Sequence, residues 1–161
     1  SRGLGDVYKR QPPAQQQGSA WLLSKEISLA ALGKALAESN ATLIAIQRNP
    51  AADEINVLAK TCGHPVHDFC AVNDDLEAML ALLALVDDYV GVSNTNMHLR
   101  AGLHLPARVM VPRPAEWRWM TQGERSPWFP DFKVYRQGAD GDWSPALQTL
   151  ATDLAAPRHG T

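Results

Sequence analysis

Apolar positions along the chain follow two rhythms, short continuous runs of strand length and longer stretches with an apolar residue every three or four positions. From Lys25 to Glu38, Ile27, Leu29, Leu32, Ala35 and Leu36 follow the second rhythm and predict a helix that Asn40 stops. The run Thr42-Leu43-Ile44-Ala45-Ile46 predicts a strand bounded by Gln47 and Arg48. Pro50 opens a second helix, which Asp53, Ile55, Val57, Leu58 and Ala59 carry to Gly63, and Pro65 to Phe69 reads as a weaker strand. Asp74 and Asp75 precede Leu76, Met79, Leu80, Leu82, Leu83 and Val86, a strongly apolar helix whose acidic start suits the positive end of its dipole.

Tyr89 to Val92 then predicts a strand, Asn94 or Thr95 to Leu103 a helix closing near Gly102, and Ala107 to Val111 a strand ended by Pro112 and Pro114. Beyond it the pattern changes. Pro114 to Met120 and Ser126 to Pro130 concentrate aromatic residues in a loop punctuated by prolines. Lys133 to Gln137 predicts one more short strand, and Trp143 to Leu154 a closing helix with Ser144-Pro145 at its start. Strands alternating with helices at this spacing predict an α/β fold with a mostly parallel sheet covered on both faces, because parallel neighbours need a crossover.

Residues 1–19 contain Gly3, Gly5, Pro12, Pro13 and the run Gln15-Gln16-Gln17, with no periodic apolar face, and predict loop or disorder. Gly5 to Gln11 also resembles translated sequencing-adaptor sequence, which would place the native start elsewhere and make this chain a fragment. The expected organisation is a disordered or non-native segment over 1–19, one domain over 20–156 and a tail over 157–161. No internal repeat recurs at a fixed period.

Composition narrows the function classes. The 161 residues suffice for one ordinary domain. With 15 Lys and Arg against 17 Asp and Glu, the chain has no broad field for nucleic acid or an anionic membrane, so any anion binding must be local. No apolar run approaches the roughly 18 residues of a membrane span, and the N-terminus lacks the basic-then-apolar pattern of a signal peptide. The expectation is a cytoplasmic protein, not an integral membrane one. Cys62 and Cys70 are too few for a disulfide framework and are expected as reduced thiols. With His64 and His67 they form Cys-x-His-x-x-His-x-x-Cys, the right ligand types for zinc at intervals unlike those of its usual structural sites, and no metal is expected.

Candidate chemistry gathers where the strand ending at Val92 hands over to a helix. Backbone N–H groups at a helix start favour negative charge, Ser93, Asn94 and Thr95 add polar side chains, and His98 follows about one turn later. The same residues equally describe a capped helix with a satisfied histidine. No glycine-rich phosphate loop follows any strand, which argues against a tight cradle for a nucleoside triphosphate. Neither Gly-x-Ser-x-Gly nor His-Glu-x-x-His occurs, and Asp53, Glu54, Asp68, Asp74, Asp75, Asp87 and Asp88 mostly fall where capping is expected. No catalytic residue is assigned. Trp117, Arg118, Trp119 and Trp128 either stack on a base or sugar, with Arg118 at a phosphate, or pin the long loop onto the domain.

Val90 to Leu103, Pro106 to Val109, Glu116 to Trp119 and Ser126 to Pro130, in that order, resemble the C-terminal part of bacterial glycosyltransferase-like proteins. These are related to heptosyltransferases and are often fused to tetratricopeptide repeats. The resemblance runs from about Leu23 to Leu154. It implies a Rossmann-like three-layer domain, the donor-binding lobe of a two-lobed (GT-B type) transferase, whose partners would be an N-terminal lobe and tetratricopeptide repeats. It further implies a nucleotide-diphosphate sugar as donor substrate, no cofactor, and metal-independent transfer. By position, the family's Asp-Thr-Gly-x-x-His pattern falls on Ser93, Asn94, Thr95 and His98, which places Asn94, Thr95 and His98 near the donor's diphosphate. Ser93 stands where the family usually has aspartate and carries no charge. Gln47 matches a glutamine that ends the equivalent strand and faces the cleft in many relatives, and reads equally as an ordinary strand-end residue. Trp119 and Trp128 resemble positions that order the loop beyond the sheet. The expected function is a donor-binding lobe for sugar transfer to an acceptor hydroxyl, incomplete and inactive alone. The alternative is a noncatalytic Rossmann-like binding or scaffold domain derived from such a transferase.

Overall fold

The computed structural model describes residues 3–5 and 27–156. They form β1 (Gly3–Gly5), α1 (Leu29–Ala37), β2 (Thr42–Ala45), α2 (Glu54–Cys62), β3 (Val66–Asp68), α3 (Leu76–Leu85), β4 (Asp88–Val92), α4 (Thr95–Gly102), β5 (Ala107–Val111), β6 (Phe132–Arg136) and α5 (Ser144–Ala155), with 3-10 turns at Cys70–Asp74 and Trp117–Trp119.

Helix boundaries follow local chemistry. Ser28 accepts the Ala31 N–H at the start of α1, and Asp75 accepts those of Glu77 and Ala78 at the start of α3. Gly63, at φ 72, closes α2 in the left-handed conformation that glycine adopts at no steric cost. The sequence pattern begins α2 at Pro50, whereas the helix begins at Glu54. Asn49 and Asp53, at φ 51 and 69, interrupt any helical run between them.

All strand pairings are parallel, in the order β3-β2-β1-β4-β5-β6. Direction along the sheet reverses between β1 and β4, the point at which doubly wound sheets open a crevice beyond their carboxyl ends. β4 is buried at all five positions, as a central parallel strand covered on both faces must be. Strand alternation sends Val90, Val92, Met110 and Tyr135 into a core with α1, α2 and α5. Tyr89, Val109, Val111, Phe132 and Val134 face the opposite core, with Met79 and Leu83 of α3, Met97 of α4 and Trp119 of the β5–β6 loop. The result is a three-layer α/β domain of generic Rossmann-like form. Gly33 lets α1 approach α2, since a Cβ there would lie 2.7 Å from Thr61 Cβ.

Gly3–Gly5 differ from the loop that their composition predicts. They pair with β2 on one side and β4 on the other, so ladder bonds from both neighbours outweigh the poor strand propensity of glycine. The rest of the 1–19 segment and the tail over 157–161 lie outside the described residues. Among the described residues no helix is long and apolar enough to cross a membrane.

Candidate functional site

Where β4 leaves the sheet, Ser93 donates its hydroxyl to Glu116 Oε2 at 3.2 Å. The next residue, Asn94, caps α4: its Oδ1 accepts the Met97 N–H at 2.9 Å and the Tyr89 hydroxyl at 2.9 Å. Tyr89 reaches that far only because Gly91 lies on the same face of β4, where a Cβ would stand 2.7 Å from the phenolic oxygen. The start of α4 is therefore fixed from inside the sheet. Thr95, the first helical residue, remains exposed.

Asn96 turns the other way. Its amide donates to Ile46 O at 3.3 Å and to Asn73 Oδ1 at 3.1 Å, while Asn73 donates to Ile46 O and Cys70 O, each at 2.9 Å. This amide pair ties the end of β2 to α4 across the reversal point. No sequence pattern marks it, because its members meet only through the strand order.

Arg48, Asn73, Leu76, Met79, Thr95 and Asn96 line a cleft of about 50 Å³ at this carboxyl edge. That is room for one phosphate-sized group, well below the roughly 300–1,000 Å³ of a pocket for a whole organic ligand. Arg48 is exposed and makes no ion pair among the described residues. It stands on the β2–α2 loop that the left-handed Asn49 and Asp53 shape. An exposed guanidinium, a hydroxyl and a helix start converge here, a combination suited to an anion.

The residues singled out in the sequence divide among four places. Thr95 lines the cleft. Ser93 and Asn94 are engaged with Glu116 and with the Tyr89 and Met97 groups. His98 is exposed on the side of the aromatic loop, its ring edge-on to Phe129 at 5.5 Å. Gln47 is buried and donates to Glu54 Oε2 at 2.8 Å, and the same oxygen accepts the Ala51 N–H at 2.9 Å. Gln47 thus braces the loop that carries Arg48 and is not among the residues lining the cleft. Arg48 is not legible in the sequence as a site residue, because a lone arginine after a strand has no signature there.

Comparison with protein-family models, curated proteins and solved structures returned no match.

The remaining candidates separate into structural and open groups. Trp119 is fully buried, stacked on Phe129 at 5.0 Å, and pins the β5–β6 loop, whereas Trp117 and Trp128 are exposed. Cys62 and Cys70 are buried free thiols with separate neighbours, Ala59 O and His64 O for one and Ala45 O for the other. The His64 ring sits against Ala37 O at 3.3 Å, and no metal-binding trio assembles among the described residues.

A charged network occupies the opposite, amino edge of the sheet. Arg108 donates to Asp88 at 2.7 Å and to the Tyr135 hydroxyl at 2.8 Å, and that hydroxyl donates to Asp153 of α5 at 2.7 Å. Lys133 pairs with the same Asp153 oxygen at 2.7 Å. Burial, reinforced by the bond to Asp153, pushes the Tyr135 phenol well above its ordinary range. Burial alone would raise the Asp153 carboxyl, but the bonds from Lys133 and Tyr135 outweigh it and hold the group low.

Proposed function

We propose that this chain is the donor-binding lobe of a nucleotide-sugar-dependent glycosyltransferase, holding the donor's diphosphate against the start of α4. The observation that carries the reading is the convergence of Arg48 and Thr95 on one cleft beside the strand-order reversal. The ordered resemblance to heptosyltransferase-like proteins supplies the reaction class. In that reaction an acceptor hydroxyl attacks the anomeric carbon as the bond to the nucleoside diphosphate breaks. Arg48, the Thr95 hydroxyl and the dipole of α4 offset the charge growing on the departing phosphate, with His98 further along the rim. The acceptor's proton passes to a base on the acceptor-side lobe, where the resemblance puts it.

One observation favours a noncatalytic binding domain as the second reading. At the position where relatives carry aspartate, Ser93 is uncharged and turned to Glu116.

Calorimetric titration with UDP-, ADP- and GDP-sugars tests the site. Binding weakened about tenfold or more by Arg48→Ala, and measurably by Thr95→Ala, is the expected result, since each removes a hydrogen bond to a charged group. Affinity indifferent to both substitutions, or no binding at all, rejects the site. Transfer by the chain supplied with an acceptor-side lobe separates the enzyme from the binding domain.

A further inference from the structure

The β5–β6 loop is held rigidly. Trp119 anchors it, Ser126 bridges it by donating to Arg118 O at 2.6 Å and accepting the Trp128 N–H at 3.1 Å, and Arg136 of β6 donates to the carbonyls of Trp119, Met120, Gln122 and Gly123. Met120 is kept at φ 57, a strained conformation for a long side chain that persists only where its surroundings dictate it. Yet this same ordered loop leaves Trp117 and Trp128 67% and 59% exposed. The two rings meet edge to face, with centroids 5.0 Å apart and planes at 84°, so that they form a step with one face and one edge. A loop ordered only to seal the sheet would bury its largest apolar side chains.

Arg118 connects this step to the turn before α4. Its guanidinium lies 5.7 Å from the centre of the Trp117 ring and 3.2 Å from Glu116, whose carboxylate also takes the Ser93 hydroxyl. The aromatic step is thereby tied to the turn that starts α4. The cleft has room for a phosphate-sized group, so the rest of a larger ligand must lie outside it, and Trp117 follows directly on the Glu116 that holds Ser93, two residues before Thr95 of the cleft.

We infer that Trp117 and Trp128 form a stacking platform for the base of a nucleoside diphosphate whose phosphates lie at the start of α4. This inference rests on the function proposed above. A planar heteroaromatic ring fits a step of one indole face and one indole edge, and the neighbouring cation strengthens such a stack. Stacking is tolerant of base identity, so the platform adds affinity without choosing between purine and pyrimidine.

The test uses the full chain with inorganic diphosphate, ADP, UDP and adenosine, following affinity by calorimetry and the indole N–H signals by NMR. ADP and UDP are expected to bind about tenfold tighter than inorganic diphosphate. Trp117→Ala or Trp128→Ala should remove that advantage, leave inorganic diphosphate affinity unchanged, and leave the thermal midpoint near that of the parent because both rings are exposed. Trp117→Phe should restore most of the advantage. Nucleoside diphosphates binding no tighter than inorganic diphosphate, or an advantage surviving both alanine substitutions, overturns the platform. Adenosine shifting the Trp117 and Trp128 signals while inorganic diphosphate fails to bind upholds the platform and rejects the phosphate site. No shift of those signals with any of the four probes overturns the platform.

Discussion

Tyr89, Gly91 and Asn94 show how a single missing methyl group governs the start of α4. The Tyr89 hydroxyl reaches the capping oxygen of Asn94 by lying across Gly91. Gly91→Ala must push that phenol aside, at a cost of about 1–3 kcal/mol in unfolding free energy for overpacking, while Tyr89→Phe removes only the hydrogen bond and should cost about 1 kcal/mol. Urea denaturation measures both, and a Gly91→Ala cost no larger than that of Tyr89→Phe would show that the ring relocates freely. At this scale the sequence was readable only in part. Ser93, Asn94 and Thr95 were recognisable together as the polar start of a helix, because capping depends on local spacing. Arg48, Asn73 and Glu116 were not, since the order of the strands alone brings Arg48 beside Thr95, Asn73 to Asn96 and Glu116 to Ser93. Gln47 shows the same limit, for alternation along β2 carries Ile44 and Ile46 toward the α3 and α4 side, and Gln47 bonds to Glu54 of α2.

Among the elements, α3 and α4 are joined by a side chain that reads in the sequence as an ordinary basic residue in a last helical turn. Arg100 is fully buried and donates to the carbonyls of Leu83, Val86, Asp87 and Pro106. It donates to carbonyls at the carboxyl end of α3 and in the turn into β4, where intrahelical donors run out. Arg100→Met keeps much of the apolar stem yet removes the four hydrogen bonds of this buried side chain, and should destabilise the domain by about 3–5 kcal/mol. Amide exchange should then accelerate first at the carboxyl end of α3 and in the turn to β4. Uniform acceleration across the sheet would instead mean that Arg100 supports the whole core. The positions of nearly all helices and strands were legible from apolar rhythm, because that rhythm is the burial pattern itself. Boundaries failed where backbone conformation decides them, as at Asn49 and Asp53. β1 failed because its place depends on two neighbours that lie far along the chain.

Over the whole molecule, parallel strands give the sheet two unlike edges, and the domain uses them differently. The carboxyl edge carries the cleft and the aromatic step, while the amino edge is clasped to α5 by Arg108, Tyr135, Lys133 and Asp153. The clasp makes stability depend on pH in two windows. Asp153 is held below its ordinary value, so its contribution is complete above the unfolded carboxylate range near pH 4 and is lost as pH falls through the lower folded value. Tyr135 is raised, so its contribution is complete below the unfolded phenol value near pH 10 and is lost as pH climbs beyond it. Asp153→Asn should flatten the acid limb of a stability profile and Tyr135→Phe the alkaline limb. Because the clasp and the cleft lie at opposite edges of a stiff, close-packed sheet, neither substitution should alter diphosphate affinity at pH 7 by more than about twofold. Affinity falling in step with stability would mean instead that α5 and the start of α4 move as one unit, and that the site is held in shape from the far edge of the sheet.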